Sequence, residues 1–298
     1  MDILYKYYSG LDITYFRNPT IKISNTSKLN DPFERIIDDE LMDLVLKEYP
    51  KLNKVPELIP SFNAVNFMNQ LSQIGVVSLS ETPRNLLMWS HYANQYKGIC
   101  IGYKSTFLDN HKERKHETLP TIFHPTKVNY DNSRYDPLTD IFLANDEQEL
   151  RKQIVQMSLL RKGNDWLYEK EHRSIIPMKF HDTIICPSNN AFEIEKKSNY
   201  LKAINERMLV VKDDEKVPSN VNINSNLIYA LRIEKESIVS IYFGINAENF
   251  YDYVELYEEI KEDPELSHVK GYIASPNGTK FELSFDTMEN FIDTINNG

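Results

Sequence analysis

The chain has little cysteine: only Cys100 and Cys186 in 298 residues. So wide a separation gives neither a disulfide framework nor the close pairs of a zinc site. Glycine is also scarce, with nine residues, and none of them forms a P-loop or a GxGxxG turn. The standard backbone cradles for phosphate are therefore excluded, though nucleotide binding in general is not. There is no HExxH, and the histidines at His111, His116 and His124 lack ligand spacing, so no metal site is expected. No window approaches the roughly 18 apolar residues of a bilayer span. The opening residues Met1-Asp2-Ile3-Leu4-Tyr5-Lys6-Tyr7 lack the apolar core of a secretory signal. Cytoplasmic residence and no membrane partner are the expectation. Positive charge is in deficit, 34 Lys and Arg against 44 Asp and Glu, for a net charge of -10. The surface as a whole is not steered toward nucleic acid or anionic lipid. No period repeats along the chain, which excludes a solenoid.

What is present describes a globular protein: 41% hydrophobic residues, 18 Tyr and 14 Phe. Short apolar runs read as buried strands at Gly75–Leu79, Gly98–Tyr103, Leu227–Ile233 and Glu236–Gly244. Asn277-Gly278 predicts a hairpin over 269–285. Helical spacing marks 34–48, 62–73, 139–160 and 247–259. The fold class is α+β: one domain over 1–298, with a mixed or antiparallel sheet, a helical insertion at about 34–73 and a flexible polar loop at about 212–226.

Three stretches concentrate chemistry. In Leu29-Asn30-Asp31-Pro32-Phe33-Glu34, the proline pushes Asp31 toward extended backbone, where it caps the following helix. Phe33 is expected to face inward, and Asn30, Asp31 or Glu34 to orient a ligand. In Ile74–Lys104, an aromatic segment with Trp89, Ser90, His91 and Tyr92 lies between two strands, and Gly98 supplies a permissive turn before the second. In Arg161–Pro177, a strand reading places Glu169, Glu171 and Arg173 on one face. Two carboxylates and a guanidinium entering an apolar layer are costly unless paired. They form either a structural salt bridge or an Arg–Glu pair with a second Glu left to act on a cationic transition state.

These three motifs resemble the DUF2971 family of uncharacterised bacterial and phage-associated proteins. The residues carrying the likeness are Leu29 to Glu34, Val77 to Tyr103 and Trp166 to Arg173, and Ile238–Gly244 and the closing hairpin also fit. More remotely, the strand pattern is similar to the ADP-ribosyltransferase fold. That resemblance implies a catalytic glutamate, Glu171 or Glu169, with His91 beside it. It implies NAD as cofactor, held by Tyr5, Tyr7, Ser78, Ser80, Tyr92, Arg173 and Asn30. A carboxylate suits the positive charge that develops on the sugar as nicotinamide leaves.

The function expected is an NAD-dependent ADP-ribosyltransferase-like enzyme, a defence or toxin component taking a nucleotide-like small molecule and modifying protein or nucleic acid. Two alternatives stand beside it. One is a metal-dependent hydrolase or nuclease using Asp31, Glu34, His91, Glu169 and Glu171, which needs carboxylates converging on a metal. The other is a non-catalytic sensor or interaction protein in which the charged residues are structural. The oligomeric state is not legible in the sequence.

Overall fold

The computed structural model describes residues 2–35, 64–136, 146–212, 226–245 and 250–297, with the isolated positions 43, 144, 217 and 224. Its strands are β1 (Ile3–Tyr8), β2 (Thr20–Asn25), β3 (Ile74–Ser80), β4 (Ile99–Lys104), β5 (Ile122–Lys127), β6 (Asn129–Tyr130) and β7 (Arg161–Lys162). There follow β8 (Glu171–Pro177), β9 (Thr183–Ile185), β10 (Leu201–Asn205), β11 (Met208–Val211), β12 (Ile228–Arg232), β13 (Ile238–Phe243), β14 (Lys270–Pro276) and β15 (Leu283–Thr287). One large sheet runs β10-β11-β9-β12-β2-β3-β1-β4-β13-β14-β15, with β8 and β5 branching from β3. Its pairings are antiparallel except β13 with β14. The expected α+β class with a mixed sheet is what forms.

β3 is the joint of this sheet. One edge pairs with β8 along its whole length, from Ile74 opposite Pro177 to Ser80 opposite Glu171. The other edge is shared: β2 meets it at Gly75 and Val76, and β1 meets it at Ser80. The sequence reason is the apolar content of Ile74–Ser80, which suits a strand buried on both faces. Every residue of β3 except Ser78 is buried.

Strand alternation then sorts the two faces. On one, Val77, Leu79, Ile176, Ile101, Tyr103, Ile241 and Phe243 join Tyr257 and Ile260 of the helix Phe250–Glu262 in the main core. On the other, Ile74, Val76 and Ile175 pack against Leu150, Ile154 and Leu159 of the helix Glu147–Leu159. Farther along that second face, Tyr7 and Cys100 pack with Trp89 of the helix Leu86–Tyr92. Between these two apolar clusters the same face carries Ser78 and Ser80 opposite Arg173 and Glu171.

Several expectations change. Phe33 is 65% exposed rather than turned inward. It sits in a single 3-10 turn, Pro32–Arg35, whose start Asp31 caps by accepting from the Phe33 amide at 2.9 Å. The helix expected over 34–48 and the loop at 212–226 fall mostly outside the described residues. The hairpin Lys270–Thr287 forms as expected, closed by Asn277 donating to the Glu282 carbonyl. Gly98 is not needed for a left-handed turn, since positive φ falls instead on Asn94, Gln95 and Tyr96. It is needed for close approach: a Cβ there would lie 2.1 Å from the Tyr8 carbonyl oxygen.

Candidate functional site

The third dense stretch does not enter the sheet as a continuous strand. Asn164–Glu169 is a 3-10 helix, and Lys170 follows with φ 45° and ψ 52° before β8 begins at Glu171. This left-handed residue separates Glu169 from Glu171 in direction. They meet again through Lys162 of β7, whose Nζ lies 2.6 Å from Glu169 Oε2 and 3.4 Å from Glu171 Oε2. The expectation that both glutamates share a strand face is thus corrected: a cation from another strand brings them together.

Glu171 is held firmly. Arg173 clamps it with two bonds, Nε to Oε1 at 2.7 Å and Nη2 to Oε2 at 2.8 Å. The Ser78 hydroxyl is a further partner of this carboxyl. Burial pushes the Glu171 pKa up, but Arg173 and Lys162 together outweigh it and bring it down to about 2. Arg173 also donates from Nη1 to the Leu159 carbonyl at 2.7 Å, and its Nη2 is ion-paired with Glu34 Oε1.

Glu169 is placed differently. Its backbone carbonyl accepts from Ser80 Oγ at 2.7 Å, which ties it to β3. Its side chain accepts from Tyr92 Oη at 2.6 Å as well as from Lys162. Burial raises its pKa above the usual carboxyl value, and Lys162 only partly offsets this. Glu34 is likewise raised by burial, against the pull of Arg173. Glu169 and Glu171, two positions apart, are therefore displaced in opposite directions by their surroundings.

The other expected residues divide in two. Tyr7 donates to the Thr82 carbonyl at 2.7 Å and packs on Trp89, and Ser80 is buried. With Arg173 engaged on every nitrogen, these residues spend their polar atoms inside the protein and do not fit a dinucleotide. Asn30, Tyr92 and Tyr5 keep an open side. Asn30 Nδ2 donates to Tyr92 Oη at 2.9 Å, leading from the surface to Glu169. Tyr5 packs edge-on against Tyr242. His91 is exposed and is paired with Tyr168 Oη at 3.3 Å, so it reaches the cluster only through neighbours. Among the described residues, no group of three or more His, Cys, Asp or Glu is placed to hold a metal ion.

Sequence reasoning missed Lys162 and Tyr130, whose Oη accepts from the Glu171 amide at 2.8 Å. The only signal for Lys162 was indirect: the expected strand face carries two carboxylates, Glu169 and Glu171, against the single arginine Arg173. A cavity of about 250 Å³ adjoins the cluster, lined by Glu34 and Lys162 and rimmed by Phe33, Ser133, Arg134 and Arg161.

Residues 88–174 match the model of a family described as a protein of unknown function, DUF2971. The matched segment contains Tyr92, Lys162, Glu169, Glu171 and Arg173. Asn30, Glu34 and all of β3 lie before it, so the cluster is assembled across its boundary. No curated protein and no solved structure matches the chain. Among the described residues no helix is long and apolar enough to cross a membrane.

Proposed function

We propose that the chain is an enzyme acting at the glycosidic carbon of a nucleotide-like small molecule, with NAD as the donor and protein or nucleic acid as the acceptor. The observation that carries this reading is that two buried carboxyls share Lys162 but differ in their other partners: Arg173 grips Glu171 with two bonds, while Glu169 accepts from the Tyr92 hydroxyl. Cleavage at a sugar carbon uses one ionised carboxylate against developing positive charge and one carboxyl able to carry a proton. Glu171, held low by Arg173 and Lys162, suits the first role. Glu169, raised by burial and bonded to the Tyr92 hydroxyl, suits the second, with Asn30 and Tyr92 linking it to the surface. Of the residues expected to hold NAD, Asn30, Tyr92 and Tyr5 remain to contact it, while Arg173, Ser80 and Tyr7 are engaged inside the protein.

The test is release of nicotinamide from NAD, followed by chromatography. Turnover is expected in the wild-type chain, with a loss of about 100-fold or more in Glu169→Gln, the scale of removing a general acid–base group. Absence of release by the folded wild type would remove NAD from the reading. Survival of activity in Glu169→Gln would remove the acid–base role.

A second reading, that the cluster is purely structural, is favoured by the two-bond clamp of Arg173 on Glu171. It predicts that Glu169→Gln and Glu171→Gln change stability alone, with no saturable response to NAD or ADP-ribose in thermal melts.

A further inference from the structure

Three carboxyls meet two cations in this cluster: Glu34, Glu169 and Glu171 against Lys162 and Arg173. With all groups ionised, it is one positive charge short. Burying an uncompensated charge is expensive, so a proton or a further cation must complete the set. The shortfall is not evenly spread. Glu171 is clamped by Arg173, and Glu169 accepts from both Tyr92 and Lys162. Glu34 is only 5% exposed; its Oε1 is taken by the Arg173 guanidinium, while its Oε2 has no hydrogen-bond donor among the described residues.

Glu34 also lines the cavity of about 250 Å³. Phe33, 65% exposed, stands at the same cavity. A buried carboxyl with an unfilled acceptor beside an exposed aromatic face is the pairing that recognises organic cations: the carboxyl takes the N–H donors and the ring quadrupole takes the charge. Two arginines stand in the same cavity wall, Arg134 donating to the Phe33 carbonyl and Arg161 to the Ser133 carbonyl, and Asp31, Asp131 and Asp165 of that wall add carboxylates beside them.

We propose that the cavity between Glu34 and Phe33 binds the cationic head of a small molecule carrying N–H donors, a guanidinium or a primary ammonium. The bound head supplies the charge that the cluster lacks. The site rests on the same carboxyl cluster as the glycosidic reading, but it requires no turnover, so the two can fail separately.

The test is a thermal melt of the full chain with methylguanidine, methylammonium, tetramethylammonium or sodium chloride, all at one ionic strength. The first two probes are expected to give a saturable rise in Tm of about 2 °C or more, as for any ligand of the native state alone. Tetramethylammonium, which has charge but no N–H, and sodium are expected to give none. Glu34→Gln should abolish the rise, and Phe33→Ala should raise the half-saturating concentration about threefold or more. An equal rise from tetramethylammonium or sodium would overturn the proposal, as would no rise from either N–H probe or an undiminished rise in folded Glu34→Gln. Should Glu34→Gln fail to fold, the exposed Phe33→Ala decides: an unchanged half-saturating concentration would also overturn it.

Discussion

Arg173 is 1% exposed, and each of its three nitrogens has a partner in Glu171, Glu34 or the Leu159 carbonyl. Its value lies in what its removal leaves behind. Arg173→Met would strand Glu171 and Glu34 in a buried layer, and truncating one side of such a pair costs about 3–5 kcal/mol. Urea unfolding should report a loss of that size, and a loss below about 1 kcal/mol would mean that the cluster is far more hydrated than its burial indicates. The carboxyls also set the pH response. Glu171 is depressed from 4.5 to about 2, so its contribution is complete above about 4.5 and is lost as pH falls toward 2. Glu34 and Glu169 are raised, so the folded chain holds more protons than the unfolded one just above 4.5. Their contribution therefore falls as pH rises through that window. Melting temperature measured upward from pH 4.5 should decline more steeply in the wild type than in Glu34→Gln, and parallel profiles would refute the assignment.

At the scale of elements, the turn at Lys170 decides how the carboxyls meet. A side chain at positive φ costs about 1–2 kcal/mol relative to glycine. Lys170 is exposed and its backbone carbonyl accepts from Glu81, so the turn is held by main-chain atoms. Lys170→Gly should stabilise the chain by about 1 kcal/mol, and the β-branched Lys170→Ile should destabilise it by a similar amount. Chemical denaturation of the pair checks this, and two changes of the same sign would contradict it. This turn also shows where the sequence stopped being legible. Period-two alternation identified β8 and put Glu171 and Arg173 on one face, which the structure bears out. Extending that alternation back to Glu169 failed, because a residue other than glycine takes the left-handed conformation and leaves no composition signal. Phe33 failed for a related reason: an apolar residue near a proline reads as an inward staple, while its exposure depends on a cavity built from residues a hundred positions away. Lys162 was hidden because the 3-10 helix Asn164–Glu169 and the Lys170 turn fold its partners back onto it, and neither leaves a periodic trace.

For the whole molecule, the consequential feature is that β3 serves two strands along one edge. Where β2 leaves and β1 arrives, the Ser78 carbonyl would lack a strand partner, and Lys6 Nζ donates to it at 2.9 Å. This single side chain bridges the fork in the sheet, on the face opposite Glu171. Burial of the ammonium, with Lys22 nearby, lowers the Lys6 pKa from 10.5 to about 8. A lysine lowered in this way binds fewer protons in the folded state, so stability should rise as pH climbs from about 8 to 10.5. Lys6→Met keeps the chain volume but removes the donor, leaving a carbonyl unsatisfied at a cost of about 1–3 kcal/mol. It should also flatten the alkaline rise, a response that loss of packing alone would not give. Because the fork couples the two arms of the sheet, hydrogen exchange in Lys6→Met should quicken on both sides of it, in β1 and in β2 together. Faster exchange confined to β1 would mean that the arms are joined through the helices that cover them and not through β3.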